Sequence, residues 1–121
     1  MSSSILVDKS KDFTNRIIAC CRVLRERKVE YSLVDQLLRA GTSVGANIAE
    51  AKYGNGPADF ANKMHTALKE CNETKFWLEL FVPENEEQAD LLRKMKRLNG
   101  NIMRMLIQSL NTVKARADWK R

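Results

Sequence analysis

Apolar residues recur along this chain at the spacing of one face of an α-helix, and they do so in four separate segments. The segments span roughly residues 9–27, 32–53, 57–82 and 86–114. Of the chain's two prolines, Pro57 opens the third segment, where the first helical turn tolerates proline, and Pro83 falls between the third and fourth segments. The pattern therefore predicts four helices and no β-strand.

The connections between these segments are short, and short connections place consecutive helices side by side in opposite directions. A chain of 121 residues fits one domain with a core of its own. We therefore expect a single all-α domain over residues 1–121, folded as an antiparallel up-down-up-down four-helix bundle.

The second and fourth segments carry the most informative patterns. In the second, Gly41 and Gly45 lie on the apolar stripe. Because glycine inside a helix costs about 1 kcal/mol relative to alanine, they predict a close contact with another helix. The fourth has two stripes, one with Leu91, Met95, Leu98, Ile102, Met105 and Val113, the other with Leu92, Met103, Leu106, Ile107 and Leu110. One neighbour cannot bury both stripes, so a homo-oligomer is expected.

Local signals mark two of the helix starts. Ser32 and Asp35 predict a capping box at the second helix, and Asn85 and Gln88 predict a capping pair at the fourth. The stretch Asn99-Gly100-Asn101 interrupts the fourth pattern. A kinked helix and a continuous one both remain open there.

Charge narrows the classes of partner. The formal net charge is +6 and the pI about 9.4, and such an excess of Lys and Arg attracts polyanions whatever their sequence. RNA and DNA are therefore the expected partners. No stretch approaches the roughly 20 apolar residues of a membrane span and the N-terminus lacks the features of a signal peptide, so we expect a cytoplasmic protein with no membrane partner. The three cysteines are expected to be free, buried thiols.

Basic side chains cluster on two of the predicted helices. Candidates for phosphate contacts on the first are Arg16, Arg22, Arg25, Arg27 and Lys28, and on the fourth Arg93, Lys94, Lys96, Arg97 and Arg104. A solvated charged surface without a ligand is the alternative for each of them.

The chain offers no constellation typical of an active site. Its only histidine, His65, has Asn62 three residues before it, so the Glu-x-x-His motif of di-iron bundles is missing. No glycine-rich phosphate loop, nucleophile elbow or zinc-ligand spacing occurs. Glu70 and Glu73 are expected to pair with nearby lysines or with a neighbouring helix. We therefore predict no catalytic residue, no metal and no cofactor.

Residues 36–50, QLLRAGTSVGANIAE, resemble the signature of one bacterial family of four-helix bundles, the 23S rRNA-intervening sequence proteins. The resemblance continues in the third segment, through Asp59-Phe60, Lys63-Met64, residues 67–74 and Trp77-Leu78-Glu79-Leu80. On this resemblance the family's motif residues correspond to Arg39, Ser43, Asn47, Glu50, Glu73 and Trp77.

The resemblance implies structural roles for these motif residues. Asn47, Glu50 and Glu73 are expected to form a polar network between helices that fixes their register. The chain departs from the family's pattern at Ala51, where glycine is usual, and at Gly100, which replaces a residue that favours a helix more.

The resemblance also implies an assembly and a function. Members of the family form barrel-like rings, typically of five copies, and are associated with RNA. Related proteins, the accessory variability proteins of diversity-generating retroelements, partner a reverse transcriptase and bind nucleic acid through basic surfaces. We expect a non-enzymatic, ring-like homo-oligomer that binds nucleic acid as an RNA or ribonucleoprotein accessory factor. The alternative is a protein-interaction scaffold that docks a partner such as a reverse transcriptase.

Overall fold

The computed structural model describes residues 3–26, 31–116 and 119. In that part of the chain there are four α-helices and no strand. The helices are α1 (Ser3–Glu26), α2 (Tyr31–Lys52), α3 (Pro57–Leu80) and α4 (Glu86–Lys114). This confirms the predicted all-α architecture.

Neighbouring helices run in opposite directions around a square. Across the α2–α3 seam, Arg39 contacts Glu73 towards one end and Glu50 contacts Lys63 towards the other. α1 and α3 each pack on α2 and α4, and within the described residues the backbones of diagonal helices do not approach each other. The chain therefore runs up, down, up and down.

The predicted helix bounds lie within two residues of the observed ones, except at the start of α1. This helix begins at Ser3 because Leu6, 2% exposed, continues the buried stripe towards the N-terminus. Ser10 is also buried, and its hydroxyl donates to the Val7 carbonyl at 2.8 Å, which satisfies its polar group. The predicted end of this helix at residue 27 lies outside the described residues.

The two predicted helix starts have different outcomes. The Oδ1 atom of Asn85 accepts from the backbone N–H of Gln88 at 2.8 Å, and the Oε1 atom of Gln88 accepts from the N–H of Glu84 at 2.8 Å. This confirms the capping pair at α4. Ser32 does not cap α2, since the helix already includes Tyr31.

The predicted close contact of α2 is made with α1. A Cβ atom at Gly41 would lie 2.7 Å from Cγ2 of Ile17, and one at Gly45 would lie 2.4 Å from Oγ1 of Thr14. Both distances are shorter than the contacts that Cβ atoms make in proteins, so a residue with a side chain would not fit at either position. The glycines therefore allow the two helices to approach, which offsets their low helix propensity.

The core takes residues from both apolar stripes of α4. Leu92, Leu106 and Leu110 of the second stripe are buried inside the bundle, because α1 and α3 cover α4 from two sides. Ile107 remains 44% exposed, and Met103 is half-buried. The prediction that the second stripe needs cover from another copy is therefore wrong for most of that stripe.

α4 continues without a break through residues 99–101, so the continuous helix is the alternative that the structure supports. Asn99 is 1% exposed, and its Nδ2 atom donates to the Cys71 carbonyl of α3 at 2.9 Å. Its Oδ1 atom has no hydrogen-bond partner among the described residues. The interruption in the apolar pattern is thus a polar residue placed inside the core.

Candidate nucleic-acid interface

Two of the predicted phosphate-contacting residues on α1 are already paired with acids. The Nε atom of Arg16 donates to Asp12 Oδ2 at 2.9 Å, and Arg25 donates to Asp35 of α2. An exposed ion pair contributes little stability, but it neutralises the charge that a phosphate would meet. These arginines are poor candidates for binding a polyanion.

Arg93 on α4 is paired more completely. Its guanidinium donates to Glu86 Oε1 at 2.9 Å and to Asp90. The hydrogen bond with Glu86, followed by that with Asp90, raises the pKa of Arg93 above its ordinary value. Two carboxylates and one guanidinium leave a net negative charge, so the surroundings of Arg93 do not favour phosphate.

The other predicted candidates within the described residues are exposed and have no acidic partner there: Arg22, Lys94, Lys96, Arg97 and Arg104. Arg104 donates to the neutral side-chain oxygen of Asn101, which leaves its charge uncompensated. Arg27 and Lys28, also predicted, lie outside the described residues.

Three of these cations lie on one side of α4, and we call Lys94, Arg97 and Arg104 the basic row. Their spacing of i, i+3 and i+10 places them within one side of a helix with 3.6 residues per turn. Leu92 and Leu106, on the opposite side, are buried in the core. The packing of α4 therefore turns the basic row towards solvent.

An open groove follows the α1–α4 seam, which is the loosest of the four seams, and two members of the basic row, Lys94 and Arg104, line it. The groove widens into two cavities of about 470 and about 550 Å³. Arg104 lines the first cavity together with Lys9 of α1, and Lys94 lines the second. Lys9 was not among the predicted residues, because only the packing of α1 on α4 brings it near Arg104.

The two cavities differ in charge. The second has Glu26, Glu87 and Asp90 around Lys94, so it is acidic overall. The first has Lys9 and Arg104 and a single acid, Asp12, which Arg16 already neutralises. The part of the groove suited to an anion is therefore the first cavity.

The motif residues on α2 and α3 meet at the opposite seam. Arg39 donates to Glu73, to Glu70 Oε2 at 3.4 Å and to Gln36 Oε1 at 3.0 Å. The bond from Arg39 lowers the pKa of Glu73, whereas burial, followed by the neighbouring Glu73, raises the pKa of Glu70. The expectation that these two acids pair with a neighbouring helix is met by Arg39.

The predicted network of Asn47, Glu50 and Glu73 does not form as one unit. Asn47 donates to the Ser43 carbonyl of its own helix at 2.9 Å. Glu50 pairs with Lys63 at 3.1 Å, away from Glu73. Glu50 and Glu73 do contact the neighbouring helix across the α2–α3 seam, but the predicted network is wrong: Asn47 bonds within α2, and Glu50 lies about three helical turns from Arg39, which holds Glu73.

Trp77 lies half-buried beside the Arg39 cluster. Its ring packs edge-on against Phe76, with centroids 5.0 Å apart and an angle of 72°. The indole N–H lies close enough to Glu73 to help lower that pKa, yet the nitrogen is buried without an oxygen at hydrogen-bond geometry. Since Phe76 is 55% exposed, this corner is an aromatic surface with adjoining acids.

The potentially reactive side chains are kept apart or buried. Cys20, Cys21 and Cys71 are free and buried, as predicted. Burial raises the pKa of Cys20 and Cys71 to about 12 and that of Cys21 to about 11. His65 is exposed, and no group of three or more His, Cys, Asp or Glu within the described ranges could hold a metal ion.

None of the helices in the described part of the chain is long and apolar enough to cross a membrane.

Comparison with known proteins identifies relatives. Residues 3–108 match the family described as 23S rRNA-intervening sequence protein. The chain is also similar to a crystal structure of a protein of unknown function from the S23 ribosomal protein family of Bacteroides thetaiotaomicron, with 37% identity and a TM-score of 0.80 over 87% of this chain and 97% of that chain. No curated protein matches it. Because the family match spans most of its length, the chain belongs to the family of 23S rRNA-intervening sequence proteins.

Proposed function

We propose that this protein binds nucleic acid, RNA or DNA, through phosphate contacts on the basic row, and that it acts as a non-enzymatic RNA or ribonucleoprotein accessory factor in the cytoplasm. The observation that carries the proposal is the lack of an ion pair at Lys94, Arg97 and Arg104 within the described residues; Arg97 and Arg104 also lie outside the second cavity, whose acids surround Lys94. Unpaired cations in a row attract successive phosphates and release their counterions. The family description, which refers to rRNA, supports RNA as the first ligand to test.

The test compares two triple variants that remove the same charge. One replaces Lys94, Arg97 and Arg104 with Gln, and the control replaces the paired Arg16, Arg25 and Arg93 with Gln. Fluorescence anisotropy against structured RNA and duplex DNA gives affinity as a function of salt. Each lost phosphate contact lowers the slope of log K against log salt by about one. The basic-row variant should lose up to about three, and the control much less; equal losses, or none, would contradict the proposal.

We further propose that copies of the chain assemble into a ring, typically a pentamer. Phe76, Leu80 and Ile107 support this, since they are large apolar side chains 55%, 46% and 44% exposed. Exposed apolar surface of this kind commonly marks an interface. Phe76→Glu or Ile107→Glu should lower the mass measured by light scattering, whereas Tyr53→Glu, at a side chain 79% exposed, serves as the matched control.

A protein-interaction scaffold is the second candidate. It is favoured by the acids Glu70 and Glu73 beside Phe76 and the half-buried Trp77, because Trp and other aromatics are enriched at sites that dominate binding energy. A partner such as a reverse transcriptase would then hold the nucleic acid. Capture of such a partner that resists nuclease and is lost in Phe76→Glu, while the mass of the assembly measured by light scattering stays unchanged, would favour this candidate over direct binding.

A further inference from the structure

The first cavity of the α1–α4 groove combines an apolar interior with a polar rim. Phe13, Leu98, Ile102 and Met105 line it, and the amides of Asn101 and Gln108 belong to the same lining. Its volume of about 470 Å³ lies within the range of about 300–1,000 Å³ that is typical of small-ligand sites. Phe13, Ile102 and Met105 are only 1%, 2% and 7% exposed, so the half-buried Leu98 is the most accessible apolar side chain of the lining.

The charges around this cavity select an anionic occupant. Lys9 on α1 and Arg104 on α4 line the cavity from the two sides of the seam, and neither has an acidic partner among the described residues. The one acid in the lining, Asp12, is held by Arg16. A ligand that enters the cavity therefore meets cations on both sides and apolar side chains between them.

We infer that the first cavity accepts an unstacked base of single-stranded RNA whose flanking phosphates contact Lys9 and Arg104. This rests on the proposed function and adds a substrate class to it. An unpaired base offers an apolar surface with polar edges, and the amides of Asn101 and Gln108 can bond those edges. Bases inside a duplex are stacked and turned inward, so they cannot enter. Phosphate contacts on the basic row alone would bind single-stranded and duplex RNA alike.

The test uses a short fluorescein-labelled single-stranded RNA, the same strand annealed to its complement, and the same strand made abasic. The abasic strand keeps the phosphates and loses the bases. Because contact with one base contributes about 1–3 kcal/mol, the wild-type protein should prefer the intact strand over the abasic strand by roughly 5- to 150-fold. Asn101→Phe fills the cavity without changing charge and should abolish that preference. Asn111→Phe, the same change at an exposed position on α4 outside this cavity, should keep it.

Each other outcome overturns the inference. If the wild-type protein bound intact and abasic strands equally, or if Asn101→Phe kept the preference for the intact strand, no base would bind in the cavity. If Asn101→Phe lowered the mass of the protein assembly and weakened binding of all three RNA probes equally, the cavity would lie between copies of the chain or against a protein partner. Failure of the proposed function looks different, since the basic-row variant would then bind as tightly as the wild type. Circular dichroism melts of both Phe variants check that each is folded.

Discussion

The α2–α3 seam and the α1–α4 seam of this bundle are opposite sides of one square, and they are built differently. The first brings its helix backbones closest together and is closed by ion pairs centred on Arg39. The second is open, with two cavities and unpaired cations along α4. A seam that satisfies its own charges supports the fold, whereas one that leaves them unpaired retains binding capacity.

The largest expected effect is the protection of the buried thiols, and the order in which protection is lost compares α1, which borders the open seam, with α3, which borders the closed one. With pKa values of about 12 for Cys20 and Cys71, their thiolate fraction at about pH 8 is roughly a thousandfold below that of a free cysteine. Mass spectrometry after iodoacetamide should find the native protein unlabelled and the denatured protein labelled at all three cysteines. Longer exposure should label Cys20 and Cys21 of α1 before Cys71, because one of the two seams that hold α1 is the open one, whereas α3 packs on both of its neighbours more closely than α1 packs on α4. Faster labelling of Cys71 would reverse the comparison.

Stability gives the next largest difference. Leu37 on α2 is fully buried, so Leu37→Ala should lower the free energy of unfolding by about 2–5 kcal/mol. Leu98→Ala makes the same change at a half-buried side chain of the open groove, and should cost less than half as much. Urea unfolding measures both. Equal losses would mean that the α1–α4 seam is as tightly packed as the other.

The smallest effects are expected at the Arg39 cluster. Glu73 has a pKa lowered from 4.5, so its carboxylate stabilises the fold above pH 4.5, and this contribution is lost as the pH falls through the lowered value. Glu70 has a raised pKa, so its ionised form costs stability above that value and the cost disappears on acidification. At about pH 7, Glu73→Gln should destabilise by less than about 1 kcal/mol, and Glu70→Gln should be neutral or stabilising. Thermal melts with the opposite order would contradict these assignments.

The sequence predicts what depends on periodicity and local signals. The stripes place Phe13, Ile17 and Leu24 in the core, where they are found, and the cap at Asn85 forms as expected. The glycines of α2 also predict a close helix contact. Each of these inferences needs only the geometry of one helix.

Features that depend on how helices are rotated and spaced could not be predicted. Asn99 interrupts the apolar pattern yet lies in the core, because the Cys71 carbonyl of α3 accepts a hydrogen bond from its side-chain amide. Arg39 joins Glu70 as well as Glu73, a contact that depends on the register of α2 against α3. Asp12 precedes Arg16 by four residues and Asp90 precedes Arg93 by three, so both ion pairs could have been predicted from the sequence. That prediction would have removed Arg16 and Arg93 from the candidates for phosphate contacts.

The most direct test of nucleic-acid binding at the open seam is photocrosslinking of uridine-containing single-stranded RNA to the wild-type protein, followed by mass spectrometry of the peptides. The crosslinks should fall on α1 and on α4 around the basic row, and should decrease when Lys94, Arg97 and Arg104 are replaced with Gln. Crosslinks confined to α3 around Phe76 and Trp77, unchanged in that variant, would contradict the assignment of the α1–α4 seam as the nucleic-acid interface.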